Sequence, residues 1–420
     1  MPPSGSDTRS RTPVIARDAD APPGRAVPLG RAVPPGRAVP PGLLLAVVAI
    51  CTAVTVANIY LAAPLLPLIA HGFGSEPSAL AWLASVSLLG YAAGLLFFAP
   101  LGDTANRRRL VGILSAAAAL AMGAAAVSPG PVALACALFV AAAASVIPQL
   151  LVPLVAERAP ADRRARHVAA VIAGLFAGVV AARVLGGLVA QAHGWRVVFV
   201  GAAALTLVLG LATAALLPAE TRPRHSGPAL AGLARLPQVL KESPELRRAC
   251  LRQGGMYGAW SAVWTSLALL LTSDAYDMST GAAGLFGLLG LSATVVAPLA
   301  GDLVDRFGAA RVTATAYAGA AVCLPLFWLG GRQLWALCAA GILIHAALVA
   351  SHVANQTLAL TTTSLPATAN TAYVVGGFAS GALASALAGT AFTHGGWGGV
   401  CVIATVWLAL GWVTAIRRST

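Results

Sequence analysis

Gly301-Asp302-Leu303-Val304-Asp305-Arg306-Phe307-Gly308-Ala309-Ala310-Arg311 is a polar turn set between two long apolar runs. Its glycines, Gly301 and Gly308, permit close backbone approach and a tight turn. Asp305 is placed to meet the positive N-terminal end of the next helix and to pair with a loop arginine. A degraded copy stands 202 residues upstream: Ala99-Pro100-Leu101-Gly102-Asp103-Thr104-Ala105-Asn106-Arg107-Arg108-Arg109. A second landmark obeys the same offset. Trp195, in His193-Gly194-Trp195, follows Asp103 by 92 residues, and Trp397, in His394-Gly395-Gly396-Trp397, follows Asp305 by 92. Two landmarks with one offset mark an internal repeat.

Outward from these turns the chain is 58% hydrophobic and only 10% charged, where soluble proteins carry about 25% charged residues. Lipid is the solvent that suits it. Apolar runs of about 20 residues, enough as helix to cross ~30 Å of hydrocarbon, recur near 43–70, 79–101, 109–127, 131–156, 169–192 and 195–217. The second set lies near 250–272, 281–300, 312–329, 334–356, 372–391 and 397–416. The expected fold is an all-α membrane protein with twelve transmembrane helices in two pseudo-symmetric six-helix bundles, 43–217 and 250–416. Because six is even, the bundles have the same orientation, an arrangement that places a solute site between them near the midplane. Residues 1–42, with Gly-Arg-Ala-Val-Pro repeated from Gly24, Gly30 and Gly36, read as a disordered tail. Residues 218–249 read as a proline-rich linker in which Ser243-Pro244 caps the next helix, and 417–420 as a short C-terminus.

The net charge of +13 does not indicate nucleic acid, because its distribution follows the turns. Twenty-four of the 27 Lys and Arg residues fall in the tails and alternate loops on one side, and only Arg196 and Arg332 on the other. Excess Lys and Arg mark cytoplasmic loops, so both termini are expected on the cytoplasmic side of a cell membrane. No zinc-ligand spacing appears among the six cysteines, and no Gly-x-x-x-x-Gly-Lys, His-Glu-x-x-His or Gly-x-Ser-x-Gly motif occurs. An enzyme, an ATP-driven pump, a metal site and a bound cofactor are therefore not expected.

The turn at Gly301, Asp305, Arg306, Gly308 and Arg311, repeated more weakly at Asp103, Arg107 and Arg108, resembles the loop signature of the major facilitator superfamily. The resemblance covers nearly all of residues 43–416. It implies the twelve-span fold and a gating role for these loop residues in holding the cytoplasmic side closed. Ala57-Asn58-Ile59-Tyr60, Pro64-Leu65-Leu66-Pro67, Gly90-Tyr91-Ala92-Ala93-Gly94, Pro148-Gln149-Leu150-Leu151-Val152-Pro153, His352-Val353-Ala354-Asn355-Gln356 and Asn370-Thr371-Ala372-Tyr373 are similar to stretches of bacterial twelve-span drug:proton antiporters. Span 5 departs from that branch, carrying Ala182-Arg183-Val184-Leu185-Gly186-Gly187 where antiporters show Gly-Pro with paired glycines. The implied activity is proton-coupled efflux of a small organic molecule by a monomeric carrier; proton-coupled import of a polar metabolite is the other reading.

Arg183 is the one Lys or Arg deep within a span, away from its ends. A guanidinium facing acyl chains costs about 3 kcal/mol or more, so it should face the bundle interior. It then either meets an anionic or polar substrate group, or binds helix-end carbonyls or reaches the interface near His193. Gln253, Tyr257, Trp260 and Trp264 form one helical stripe, a cavity wall or packing residues, with Trp264 the better fit to an interfacial belt. Asn58 is a further cavity candidate. His345 and His352 share a face of span 10; either carries a coupling proton or is a hydrogen-bonded neutral histidine.

Overall fold

The structure is a computed structural model that describes residues 41–158, 164–217, 231–361, 363 and 365–416. The expected tail up to residue 40, the first part of the expected linker (218–230) and the last four residues lie outside that set. Ten helical stretches among the described residues are long and apolar enough to cross a membrane. The longest, Thr368–Val413, is two crossings, because Gly396 at φ 55°, ψ −149° breaks the helix. Pro244–Leu271 adds one more over 28 residues; Arg247, Arg248 and Arg252 in its first turns lower its hydropathy. Twelve spans result, all helical.

Span 1 is Pro41–Tyr60 continued by Ala62–Gly72, and span 2 is Trp82–Phe97 after a 3-10 turn at Pro77–Leu80. Span 3 is Arg107–Ala126, span 5 Arg164–His193 and span 6 Trp195–Leu216. Span 4 is split into Pro131–Ala144 and Ile147–Arg158. Pro148 causes the split, since it has no N–H and crowds the carbonyl of Ala144. A surface helix, Ala231–Glu242, precedes span 7, Pro244–Leu271. Ser243 caps that span as expected, its Oγ accepting from the Leu246 N–H at 3.2 Å. Span 8 runs through Thr280–Leu285, a 3-10 stretch Phe286–Leu291 and Ser292–Phe307. Spans 9 and 10 are Ala309–Leu329 and Leu334–Thr361. Spans 11 and 12 are 366–395 and 397–416.

The repeat is visible in the backbone. Gly194 and Gly396, 202 residues apart, both have positive φ and each precedes a buried tryptophan, Trp195 or Trp397. The helix caps at 106 and 308 also correspond. Asn106 accepts from the Arg109 N–H at 3.1 Å, whereas Gly308 reaches the corner through φ 83° without a side-chain cap.

Spans 1 to 6 and 7 to 12 form the two bundles. The side bearing residues 41 and 416 is called the terminal side and the opposite side the far side. The bundles meet along spans 2 and 11, 5 and 8, and 1 and 7. Spans 5 and 8 touch backbone to backbone at Gly187 and Gly284 toward the far side. The outward surface is apolar: Leu120 is 77% exposed, Val132 70% and Val295 66%. Patches of that kind are stable only against hydrocarbon.

Candidate functional site

Pro64 crowds the carbonyl of Tyr60 as Pro148 crowds that of Ala144, so span 1 is interrupted after Tyr60. Tyr60 faces span 7, its hydroxyl sharing a 2.9 Å hydrogen bond with that of Tyr257. Tyr257, Trp260 and Trp264 line up on span 7 as their spacing predicts, all of them buried. Ring centroids lie 5.4 Å apart for Tyr257 and Trp260, and 6.1 Å for Trp260 and Trp264.

Arg183 reaches this wall from span 5. Its guanidinium carbon is 5.6 Å from the Tyr60 ring centroid, 5.5 Å from that of Trp260 and 5.1 Å from that of Trp264. The residue is only 7% exposed. Among the described residues it has neither a hydrogen bond nor an ion pair. It therefore neither binds helix-end carbonyls nor extends to the interface near His193. Desolvating an unpaired cation costs several kcal/mol; three aromatic partners, each contributing about 1–2 kcal/mol, offset part of that. The side chain lines a cavity of about 10 Å³ together with Tyr60, Ala63, Leu88, Trp260 and Thr265, room for roughly one water.

Span 8 makes space for Arg183. Gly281, Gly284, Gly287 and Gly290 recur at every third residue, and a 3-10 stretch has three residues per turn. Glycines within and beside Phe286–Leu291 thus share a face. A Cβ on Gly284 would stand 2.5 Å from the Arg183 carbonyl oxygen, and one on Gly287 2.7 Å from the Arg183 Cβ. Sequence reasoning passed over this run, although its strict spacing was the available signal. Trp264 is a correction. It is not an interfacial residue but 3% exposed, directly under Arg183 and 4.4 Å from the His345 ring.

His345 Nε2 accepts from the Trp260 indole N–H at 3.1 Å, and its Nδ1 lies 2.7 Å from the Gly341 carbonyl. These partners assign a neutral ring with the proton on Nδ1. Both nitrogens are committed. Gln253 and His352 belong to a second cluster nearer the terminal side. The Tyr373 hydroxyl donates to Gln253 Oε1 at 2.8 Å and stands 3.3 Å from His352 Nδ1. Beside them Gln356 Nε2 donates to Asn370 Oδ1 at 3.0 Å. Asn58 is not on the cavity wall. Its amide donates to Thr206 at 3.0 Å and Ser145 at 3.2 Å inside the first bundle. An amide with neutral hydroxyl partners from two neighbouring helices is held there rather than at the cavity.

The two turns differ from expectation. Gly301, Asp305, Arg306, Gly308 and Arg311 sit at the terminal-side surface, and Asp305, Arg306 and Arg311 are exposed. Among the described residues these three make no ion pair; at exposed sites such a pair contributes about 0–1 kcal/mol. The degraded copy is the engaged one. Arg107, 3% exposed, donates through Nε to the Gly102 carbonyl at 2.8 Å and through a terminal nitrogen to Glu157 at 2.9 Å. Arg108 points to solvent, and the side chain of Asp103 lies outside the described set. Glu157, on span 4, carries no motif of its own in the sequence.

A family model described as Major Facilitator Superfamily matches residues 48–253. A Streptomyces coelicolor protein named "Probable transporter SCO4007" is 71% identical over 377 residues, spanning 89% of this chain and 87% of that protein. "Uncharacterized transporter YgaY" of Escherichia coli O157:H7 is 33% identical over 385 residues, spanning 88% and 95%. Among solved structures, a mutant form of the nucleoside transporter NupG superposes with a TM-score of 0.69 at 14% identity, covering 89% of this chain and 98% of that one. A bacterial homologue of the human lysosomal transporter Spinster, inward-facing and unoccupied, gives 0.64 at 15%, covering 89% and 94%. At such identity the two structures speak for the fold alone. With relatives named as transporters along most of its length and a matching family model, the chain belongs to the major facilitator superfamily of transporters.

Proposed function

We propose that this chain is a secondary active transporter that exports a small organic molecule in exchange for protons, with its terminal side in the cytoplasm. One observation carries the reading: Arg183, buried between the bundles, has aromatic partners and, among the described residues, no anion. A solute bound there is exposed to each side in turn as the bundles rock about it. The Lys and Arg bias supports the orientation. The outward direction rests on the likeness of spans 1, 2, 4, 10 and 11 to bacterial efflux proteins.

The coupling proton is assigned to His352 rather than His345. One His352 ring nitrogen faces Tyr373 and the other has no partner among the described residues. A proton added to His352 reorders the Tyr373 to Gln253 tie between spans 11 and 7, whereas one added to His345 must first displace Trp260. At the terminal-side turns Arg107 and Glu157 hold span 3 to span 4, and Asp305, Arg306 and Arg311 are available to latch the gate when it closes. The reading is tested in proteoliposomes containing a trapped pH dye, with solutes selected by comparing an overexpressing strain with a deletion strain. Solute-driven proton flux should vanish in His352→Ala and solute movement in Arg183→Ala. Undiminished flux in both variants overturns the assignment.

A further inference from the structure

Two groups in the cavity between the bundles are unsatisfied. Arg183 has no hydrogen bond or ion pair among the described residues. Ser261 lines the same cavity, and its Oγ is fully buried without a hydrogen-bond partner among the described residues. A planar guanidinium offers a fork of parallel N–H donors that matches a carboxylate, and a hydroxyl beside it supplies one more. Buried donors without acceptors are rare in proteins, and each calls for an explanation. A ligand that brings the acceptors supplies one.

From this geometry we infer that the solute is an organic monoanion with a planar apolar body, in its simplest form an aromatic carboxylate. The inference rests on the transport reading above and names its substrate class. The charge follows from a count of one. Three arginines among the described residues are buried: Arg107, Arg183 and Arg252. Arg107 is bound to Glu157, and Arg252 lies two helical turns before Trp260 toward the terminal side. Arg183 alone meets the aromatic wall. A dianion would carry one charge uncompensated into a medium where burial of charge is heavily penalised. A cation would meet Arg183 with no carboxylate nearby. The body follows from the wall: Tyr60 and Trp260 present rings, against which a flat ring stacks, and Ala63 and Leu88 complete an apolar surface. The cavity of about 10 Å³ is too small for such a body, so loading separates span 5 from span 7.

The test uses the full-length protein purified in detergent, with tryptophan emission and thermal shift as readouts. The probes are benzoate and 1-naphthoate, their neutral amides, benzylamine and terephthalate. The carboxylates should bind at least about tenfold more tightly than the amides, the amine and the dianion. Arg183→Gln should bring carboxylate binding down to that of the amide. Arg183→Lys, which keeps the charge and loses the fork, should retain the preference for anions with weakened affinity. Ser261→Ala should weaken carboxylates a few-fold. Equal or tighter binding of amide or amine, no carboxylate binding by wild type, or unchanged affinity in folded Arg183→Gln overturns the inference. Selective binding of a neutral or cationic probe that is then carried into proteoliposomes would overturn it and leave the transport reading standing. Carboxylate binding without transport would do the reverse.

Discussion

Asn58 and Trp260 occupy the same position of the duplicated chain, 202 residues apart, and each ties the first span of its bundle to the fourth. Asn58 donates to Ser145 on the first side, and Trp260 donates to His345 on the second, at 3.2 and 3.1 Å. The tie has been kept and its chemistry changed. In the first bundle it is a small polar lock. In the second it fixes an aromatic ring against which Arg183 rests.

If that tie holds Trp260 in place, Trp260→Phe should destabilise the protein by about 1–3 kcal/mol, since it strands the His345 acceptor. Trp264 Nε1 is buried without a hydrogen-bond partner among the described residues, so Trp264→Phe should cost less. Thermal melts of the two variants in detergent decide the order, and equal losses would contradict the arrangement.

The engaged turn is the degraded one. Arg107→Ala removes hydrogen bonds to Gly102 and Glu157 and should cost about 1.5–3 kcal/mol. Arg311→Ala, at an exposed site in the better-preserved turn, should stay within about 0.5 kcal/mol. The same melts check this, and a reversed order would contradict the assignment.

Gly284 allows spans 5 and 8 to touch. A methyl there meets the Arg183 carbonyl at 2.5 Å, and backbone cannot step aside as a flexible side chain can. Gly284→Ala should cost about 1–3 kcal/mol by overpacking. Gly319→Ala, with nothing within 4 Å, should stabilise span 9 by up to about 1 kcal/mol through helix propensity. Opposite shifts in melting temperature are the expected result.

These contrasts show what was legible in the sequence. The span count, the two bundles and the offset of 202 were readable because hydropathy and turn chemistry are local. The stripe from Tyr257 to Trp264 was readable because helical spacing puts those residues on one face. Which face met Arg183 was not, since it depends on how span 5 crosses span 7. Asn58 reads as a cavity residue by depth alone, and only the positions of Ser145 and Thr206 send it into the first bundle. Motif preservation did not say which turn is paired here: Asp305 and Arg311 keep the pattern and stand exposed, while Arg107 gains its weight from Glu157, 50 residues away.

The central claim is that Arg183 stands between the bundles on a path open to each side in turn. It is tested most directly by Arg183→Cys in a cysteine-free background, treated with a membrane-impermeant thiosulfonate from one side of the membrane at a time. The account predicts modification from both sides, because alternating access brings water to position 183 from each. Modification from neither side, or from one side only, would show that no such alternating path reaches residue 183 and contradict the account.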